Sequence, residues 1–385
     1  MIVAGIDEAG YGPVLGPLVV GCCALEVGGA SAEADPTGSG VGPVSPAVGT
    51  SAAGIGGPTG IARGARPEAT PLPCFWKLLG RVVSQKGVAS GRKLHINDSK
   101  KVYSPERGLR ELERSVLAVA MSAGHEPQTL QEMLACVSGD VLMDLGRHPW
   151  YAQREGERFP LAQDLAGVRI MGKALAAEMQ RAGVRCVHFA ARVLVEGRLN
   201  DMLKQTRNKS AVLFSTAAIH LDWLMRHFAG RDLRVVCDRQ GGREHYGRLL
   251  RMMFEDWSLE VLAEGEDSSE YRMQKGRRHE GTEARREGRG TSAEALATPN
   301  SQLTTVRLSF REKAEGSCLP VAAASMLCKY LREALMGRFN AWWAEQVPGL
   351  KPTAGYYTDG MRFLRDIEQR RRQLRVADEE LIRIR

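Results

Sequence analysis

The sequence predicts an α/β fold with a mixed central sheet flanked by helices. Short apolar runs typical of strands alternate with longer stretches of helical periodicity, and two segments of biased composition fall between these elements. This order indicates a single interrupted domain over residues 1–385 rather than two separate domains.

The predicted strands are short runs rich in apolar and β-branched residues, bounded by turn residues. They span residues 2–7, 17–27, 184–195, 233–238, 258–263 and 304–310. A turn rich in glycine and proline separates the first two strands, which predicts a hairpin.

Helical periodicity predicts four helices between these strands. They run from Pro105 to Gly124, over 209–228, over 243–255, and from Pro320 to about Trp343. Pro320 suits the first turn of a helix, where its missing N–H costs nothing.

Two segments contain too little large apolar surface to offset the entropy of ordering them. Residues 28–72 are mostly Gly, Ala, Ser, Pro and Thr, and residues 274–303 are dense in charge. We expect both to be disordered insertions. Residues 345–385 are expected to form an extension that contacts the substrate.

The composition favours a protein that binds phosphate. The chain has 53 Lys and Arg against 45 Asp and Glu, a formal charge of +8, which favours a nucleic-acid partner over an acidic or membrane-inserted one. Eight cysteines without C-x-x-C spacing indicate a reducing, cytoplasmic compartment. No apolar run reaches the length of a membrane span, about 18 residues, and we expect a monomer that is neither exported nor membrane-bound.

Acids stand at the ends of several predicted strands. Asp7 and Glu8 end the first, Asp238 ends 233–238, and Glu315 lies between the last strand and the helix that follows it. A single acid at a strand end usually forms a turn or caps a helix. If these four converge, each close pair costs about 4 kcal/mol at a separation of about 4 Å. The acids would then take up protons or unfold the site unless a cation neutralised them.

The donor atoms of this acid set indicate which cation it would hold. Carboxylate oxygens favour Mg²⁺ or Mn²⁺. His220 and His227 are seven residues apart, which suits a core helix or its rim better than zinc ligation. Carboxylates that hold two hard cations are typical of sites that hydrolyse phosphodiesters in line.

The glycines after Glu8 do not match a nucleotide-binding loop. No Gly-Lys-Ser/Thr follows Gly10, Gly12 and Gly16, and the next element is a strand. Glycines beside two acids instead let the backbone approach a ligand closely, so that N–H groups contact phosphate or sugar.

Five motifs in order resemble those of the type 2 ribonucleases H, the ribonuclease HII-like family. GIDEAGYGPVLGP is similar to the D-E-x-G-R-G-P-x-x-G-P signature of that family, and four later motifs follow it. They are NDSKK (97–101), VVCD (235–238), PVAAASMLCKYLRE (320–333) and GYYT (355–358). The resemblance covers most of the chain outside the two insertions.

The resemblance implies a ribonuclease H-like fold and a divalent-metal endonuclease. Such an enzyme would hydrolyse the RNA strand of RNA–DNA hybrids to 5′-phosphomonoester ends. It further implies that Asp7, Glu8, Asp238 and Glu315 are the catalytic metal ligands, with Glu315 standing where the family has Asp. Asp267 or Glu266 would be the fourth ligand if the alignment is out of register.

The same resemblance implies the residues that contact substrate. Their expected partners are the ribose 2′-hydroxyl, the phosphates and the sugar at the RNA–DNA junction. The residues are Gly10, Tyr11 and Gly12 for the ribose, Asp98, Ser99, Lys100 and Lys101 for phosphates, and Tyr356 for the sugar.

Two departures from the family leave alternatives open. Tyr11 stands where the family has Arg, and Lys351-Pro352-Thr353-Ala354 lacks the His-Lys of the family. A guanidinium contact to phosphate would thus be lost. A relative that binds hybrids with lost or altered catalysis, and a nuclease with a different nucleic-acid substrate, are the alternatives.

Overall fold

The computed structural model describes residues 1–28, 71–87, 91–275 and 304–384. The predicted insertions 28–72 and 274–303 lie outside these residues except at their ends. Gln274 and Lys275 end a strand, so they belong to the sheet rather than to the insertion.

The described residues form nine strands, with bounds as follows. They are β1 (Ile2–Ala9), β2 (Leu18–Val27), β3 (Val83–Ser84), β4 (Leu94–His95), β5 (Val184–Leu194), β6 (Leu233–Asp238), β7 (Ser258–Glu264), β8 (Ser268–Lys275) and β9 (Thr304–Arg311).

The described residues also form twelve α-helices. They are α1 (Phe75–Leu78), α2 (Ser99–Val102), α3 (Arg110–Ser122), α4 (Leu130–Ser138), α5 (Val141–Leu145), α6 (Leu165–Arg181), α7 (Glu196–Thr206), α8 (Lys209–His227), α9 (Gly247–Met253), α10 (Leu319–Gln346), α11 (Tyr357–Gln373) and α12 (Asp378–Leu381). Short 3₁₀ turns lie at Pro149–Tyr151 and Ala314–Gly316.

Seven strands form one mixed sheet in the order β5-β2-β1-β6-β9-β8-β7. β1 pairs antiparallel with β2, and β2 with β5, which confirms the predicted hairpin. β1, β6 and β9 are parallel neighbours, whereas β8 and β7 continue antiparallel from β9. The predicted α/β class with a mixed sheet flanked by helices is therefore confirmed.

The sequence pattern missed several elements and misplaced the start of one. β8 was not predicted, because its buried residues Ser269, Tyr271 and Met273 alternate with polar ones in a segment otherwise rich in charge. The helix expected from Pro105 begins at Arg110, after a turn that ends at Gly108 in the left-handed region. Helices α4 to α7 were also not predicted.

Helices cover both faces of the sheet. α10 packs against β1 and β2 on one face together with α3 and α6, and α8 and α9 cover the other face. Each face of the sheet has its own hydrophobic core, and alternate residues of β1 pack into one or the other. Val3 packs on the α10 side, and Ile2 and Ile6 pack on the α8 side.

α10 approaches the sheet closely because glycines leave room for it. A Cβ on Gly5 would lie 2.1 Å from the backbone nitrogen of Val321, and one on Gly21 would lie 2.6 Å from Sγ of Cys328. Any larger side chain at either position would push the helix off the sheet. This close packing fixes where α10 carries Ser325 relative to the end of β1.

No helix among the described residues has both the length and the apolar character that crossing a membrane requires. All eight cysteines lie in the described part of the chain and have free thiols.

Candidate metal and nucleic-acid site

Asp7 and Asp238 lie side by side because their strands run in parallel. Ile6 on β1 pairs with Cys237 on β6, so the next residue of each strand is an acid at the same edge of the sheet. Glu8 follows directly, and its backbone N–H donates to Oδ1 of Asp7 at 2.7 Å. The sheet thus brings three of the four predicted acids together.

Glu315 joins this group through a turn anchored on Asp238. Lys313 has a left-handed backbone, with φ of 53°, and opens the 3₁₀ turn Ala314–Gly316. The N–H of Ala314 donates to Oδ1 of Asp238 at 2.9 Å. Glu315 is only 8% exposed, and its carboxyl group interacts with that of Asp238.

The alternative acids lie elsewhere. Glu266 and Asp267 are exposed in the turn between β7 and β8. β8 is separated from β6 by β9, so this turn lies two strand spacings, about 10 Å, from Asp238 along the sheet edge. Of the candidate fourth acids, Glu315 is the one that the structure places against Asp238.

Burial raises the pKa of each acid in this group, which we call the acid cluster (Asp7, Glu8, Asp238 and Glu315), and repulsion between carboxylates adds to the rise at Asp7, Glu8 and Glu315. Burial is the largest cause throughout. Burial and the charge of Asp238 raise the pKa values of Glu8 and Glu315 to about 7. The pKa of Asp7 is raised by burial and by the charges of Glu8 and Asp238. The site therefore holds negative charge at a cost that a cation would offset.

The residues of the acid cluster fit a hard cation. Oε2 of Glu8 and Oε2 of Glu315 are buried without a hydrogen-bond partner in the described part of the chain. Unpaired buried carboxylate oxygens are unfavourable, and oxygen is the donor that Mg²⁺ and Mn²⁺ prefer. The carboxylate oxygens of the acid cluster are spaced more widely than the ligand atoms of one Cys and two His elsewhere in the described part of the chain, which all lie within 4.8 Å of one another.

Ser325 and Ser99 connect the NDSKK segment to the acid cluster. The Ser325 hydroxyl hydrogen-bonds to the Asp7 carboxylate and thereby opposes the rise in its pKa. Oγ of Ser325 also lies 3.1 Å from Oγ of Ser99, at the start of α2. α2 is held beside the cluster by this pair of hydroxyl groups.

The remaining NDSKK residues differ in position. The side chain of Lys100 is exposed, and its positive charge lowers the pKa values of Glu8 and Asp238. The Asp98 carboxylate accepts from the N–H of Lys100 at 2.9 Å, and its charge raises the pKa of Glu315. Asp98 therefore caps α2 and adds negative charge near the acid cluster. The side chain of Lys101 is exposed, and its backbone carbonyl accepts a hydrogen bond from Arg107.

The glycine loop, residues 10–16, has a fixed shape. Gly10 has φ of +88°, and a Cβ there would lie 2.5 Å from the carbonyl oxygen of Pro17. The N–H of Val14 donates to the carbonyl of Gly355 at 2.8 Å, which joins the loop to the GYYT segment. Gly12 is exposed, with nothing within 4 Å of a Cβ placed on it. The backbone at Gly12 is accordingly open to a ligand.

The C-terminal segment stabilises the glycine loop through hydrogen bonds to its backbone. Arg383 is 2% exposed, and Nη1 of its guanidinium donates to the carbonyl of Gly10 at 2.6 Å. Its Nη2 lies 3.4 Å from the carbonyl of Tyr11. Buried Glu196 accepts from the N–H of Gly16 at 2.8 Å on the same side. The shape of the loop thus depends on residues far away in the sequence.

Tyr11 has basic neighbours. Nζ of Lys209, at the start of α8, lies 5.0 Å from the centre of the Tyr11 ring. Burial and the charge of Glu8 raise the pKa of Tyr11, and the charge of Arg243 opposes this. Positive charge therefore lies beside Tyr11, although position 11 itself carries none.

Tyr356 follows Gly355, whose carbonyl binds the glycine loop, and is 54% exposed. The guanidinium of Arg332 lies 5.7 Å from the centre of its ring. Arg332 is buried, donates to the carbonyl of Ala354 at 2.8 Å, and lies against Gly10. Arg332 therefore contacts both Gly10 and the exposed ring of Tyr356, and such a ring can stack on a sugar or base.

Sequence reasoning missed several residues around this site. Lys209, Arg243 and Arg383 come from three different segments. Their local patterns are ordinary for exposed helix or loop positions, so only the chain path reveals them. Ser325 and Arg332 stand within the motif PVAAASMLCKYLRE (320–333), and that motif was the available signal for both.

The comparisons with known proteins give structural likeness without sequence similarity. No family model and no curated protein sequence matches the chain. A solved complex of PCNA and RNase HII from Archaeoglobus fulgidus has a chain similar to this one with a TM-score of 0.36 and 13% identity, covering 100% of this chain and 95% of that one. The ribonuclease H2 of Pyrococcus horikoshii OT3 gives a TM-score of 0.34 and 11% identity, covering 99% and 92%. Scores this low carry no functional conclusion.

Proposed function

We propose that this protein is a metal-dependent endonuclease that hydrolyses the RNA strand of RNA–DNA hybrids to 5′-phosphomonoester ends. The observation that carries the proposal is the acid cluster. Its four carboxylates lie near one another at the ends of two parallel strands, the buried oxygens of Glu8 and Glu315 are unpaired among the described residues, and the exposed backbone of Gly12 follows in the glycine loop. Few roles other than cation binding make such a cluster favourable.

Asp7, Glu8, Asp238 and Glu315 would hold Mg²⁺ or Mn²⁺, two ions in the full site. When bound, such ions supply Lewis-acid activation of the attacking water and neutralise charge at the scissile phosphate. Ser325 orients the Asp7 carboxylate through its hydroxyl, and the turn at Ala314 keeps Glu315 against Asp238.

The remaining residues bind and orient the substrate. The backbone of Gly10, Tyr11 and Gly12 contacts the ribose 2′-hydroxyl, the group that distinguishes RNA from DNA. Lys100 lies within reach of a phosphate held at the acid cluster, with Ser99 and Asp98 fixing the helix that carries it. Tyr356 packs on the sugar, and Lys101 makes a more distant phosphate contact.

The test is cleavage of an RNA–DNA hybrid labelled on its RNA strand, with Mg²⁺ or Mn²⁺. We expect cleavage by the wild type and its loss in Asp7→Asn. The matched control is Asp222→Asn, because Asp222 lies partly exposed on α8 and pairs with Arg226. If a folded wild-type chain cleaves no hybrid with either ion, the proposal is wrong.

One observation favours a second candidate, a hybrid-binding protein with altered catalysis. Tyr11 and Glu315 stand where the resembled family has Arg and Asp. This candidate predicts binding that weakens with salt and exceeds that for duplex DNA of equal length, without turnover. Measuring binding and cleavage on the same hybrid separates the two candidates.

A further inference from the structure

A second group of metal-ligand side chains lies on the opposite face of the sheet from α10. Sγ of Cys22 and one ring nitrogen each of His188 and His220 all lie within 4.8 Å of one another. Within residues 1–28, 71–87, 91–275 and 304–384, no other three ligand atoms of His, Cys, Asp or Glu meet that distance. The three residues come from β2, β5 and α8.

The sheet register builds this Cys/His group. Cys22 pairs with Ala190, and Ala24 pairs with His188 on the neighbouring strand β5. Cys22 and His188 are therefore diagonal neighbours, a spacing that long side chains can bridge. The pairing shifts between Ala24 and Leu25, so β5 is bulged right beside His188.

His220 approaches from α8 and is oriented by the backbone of β2. Its Nε2 lies 3.1 Å from the carbonyl oxygen of Val20. A ring that donates through Nε2 has its lone pair on Nδ1. A hydrogen bond from one ring nitrogen to a carbonyl is the usual arrangement for a histidine that ligates a metal through the other.

His188 has a buried ring nitrogen that no neighbouring group among the described residues satisfies, which is a second, independent observation at this site. Its Nε2 is buried and has no hydrogen-bond partner in the described part of the chain. The ring is stacked on Trp223 with centroids 3.7 Å apart, so its orientation is restricted. A buried ring nitrogen with a fixed direction and no partner is unfavourable unless a proton donor or an ion meets it.

The donor set indicates which ion fits. A thiolate and two imidazoles suit a borderline-soft ion such as Zn²⁺ and not Mg²⁺. Tetrahedral bonds of about 2.1 Å to nitrogen and about 2.3 Å to sulfur place the donors about 3.4–3.6 Å apart. The three donors lie within 4.8 Å of one another, so each pair needs to approach by about 1.4 Å at most to complete the site. Arg192, the nearby cation, is paired with Asp140, which compensates its charge.

We propose that Cys22, His188 and His220 bind one Zn²⁺ ion, with a small ligand such as water in the fourth position. The ion crosslinks β2, β5 and α8. Cys22 pairs with Ile6, the residue before Asp7, so the ion braces the strand pair that carries the acid cluster. This site is distinct from the acid cluster in ligand type and in sheet face, and does not depend on the proposed nuclease function.

The test uses the full chain and two readouts, zinc content and cobalt absorption. After dialysis against a chelator that clears carboxylate sites, we expect about one equivalent of zinc to remain. Exchange with Co²⁺ should give the near-ultraviolet charge-transfer band that requires a thiolate ligand. Both signals should persist in Asp7→Asn, because the acid cluster supplies only oxygen.

Variants distinguish ligation from general stability. His188→Gln and Cys22→Ser should lose the zinc and the cobalt band. His227→Gln is the matched control, because His227 stacks on the other face of Trp223, with centroids 3.8 Å apart, and should keep both signals. If Cys22→Ser does not fold, the cobalt band of the wild type and its loss in His188→Gln test the proposal instead. Wild type without zinc and without a cobalt band, or full zinc in a folded His188→Gln, would overturn the proposal.

Discussion

The backbone N–H of Ala314 donates a 2.9 Å hydrogen bond to Oδ1 of Asp238. Through this bond, the acid that ends β6 holds the turn that carries Glu315, so the two carboxylates are positioned as a unit. Because the turn fixes the backbone of Glu315, the length of its side chain sets where its carboxylate lies.

Glu315→Asp should lower the cleavage rate although it keeps the charge. The carboxylate retreats by one methylene while the turn stays anchored on Asp238, and a displacement of that size costs about 10²-fold in rate. Single-turnover cleavage of a hybrid measures this loss. Asp267→Asn, in the exposed turn two strands away, should leave the rate unchanged; an equal loss in Asp267→Asn would show that the fourth acid is misassigned.

The stability of the metal-free protein should depend on pH through Glu8. Burial and Asp238 raise the pKa of Glu8 from its ordinary 4.5 to about 7. Between these two pH values Glu8 keeps its proton in the native state and has lost it in the unfolded chain. The stability that protonated Glu8 contributes is therefore fully present below pH 4.5 and is lost as pH rises through about 7.

Urea denaturation in chelator at about pH 5 and about pH 8 tests this dependence. The wild type should lose more unfolding free energy between the two values than Glu8→Gln, which cannot titrate. Adding Mg²⁺ at the higher pH should restore stability to the wild type. An identical pH dependence in both proteins would contradict the assignment.

Lys209 and Arg243 should supply the phosphate contact that Tyr11 cannot. Both lie beside Tyr11, at the start of α8 and in the loop before α9. Lys209→Ala and Arg243→Ala should each reduce the slope of log affinity against log salt for hybrid by about 1. Lys173→Ala, exposed on α6, is the control that should keep the wild-type slope. An unchanged slope in both test variants would show that the path of the phosphates lies elsewhere.

Arg383→Ala should weaken discrimination between ribose and deoxyribose. It removes the guanidinium that holds the carbonyls of Gly10 and Tyr11, so the glycine loop loses its fixed shape. We expect a higher KM for hybrid and a loss of about 1.5–3 kcal/mol in unfolding free energy. Arg226→Ala, at an exposed residue of α8 that pairs with Asp222, should change neither. If the variant is destabilised but its KM for hybrid is unaltered, Arg383 stabilises the fold and has no role in substrate binding.

The sequence predicted the elements that depend on local pattern. Apolar β-branched runs predicted six of the seven strands of the large sheet, and helical periodicity predicted α8 and α10. β8 was missed because its buried alternation is short and lies in a charged segment. The prediction of the acids came from their position at strand ends, since parallel strands bring such ends to one edge.

What the sequence by itself determined is the α/β class, the hairpin and the identity of the candidate acids, because these follow from periodicity and from residue type at strand ends. Only the tertiary structure decided that Glu315 and not Asp267 lies beside Asp238, that Arg383 supports Gly10, and that Cys22 meets His188 and His220. The physical reason is that these contacts join segments separated by up to hundreds of residues. Sheet register and the packing of α8, α10 and the C-terminal segment set them, and local sequence carries no signal for such distances.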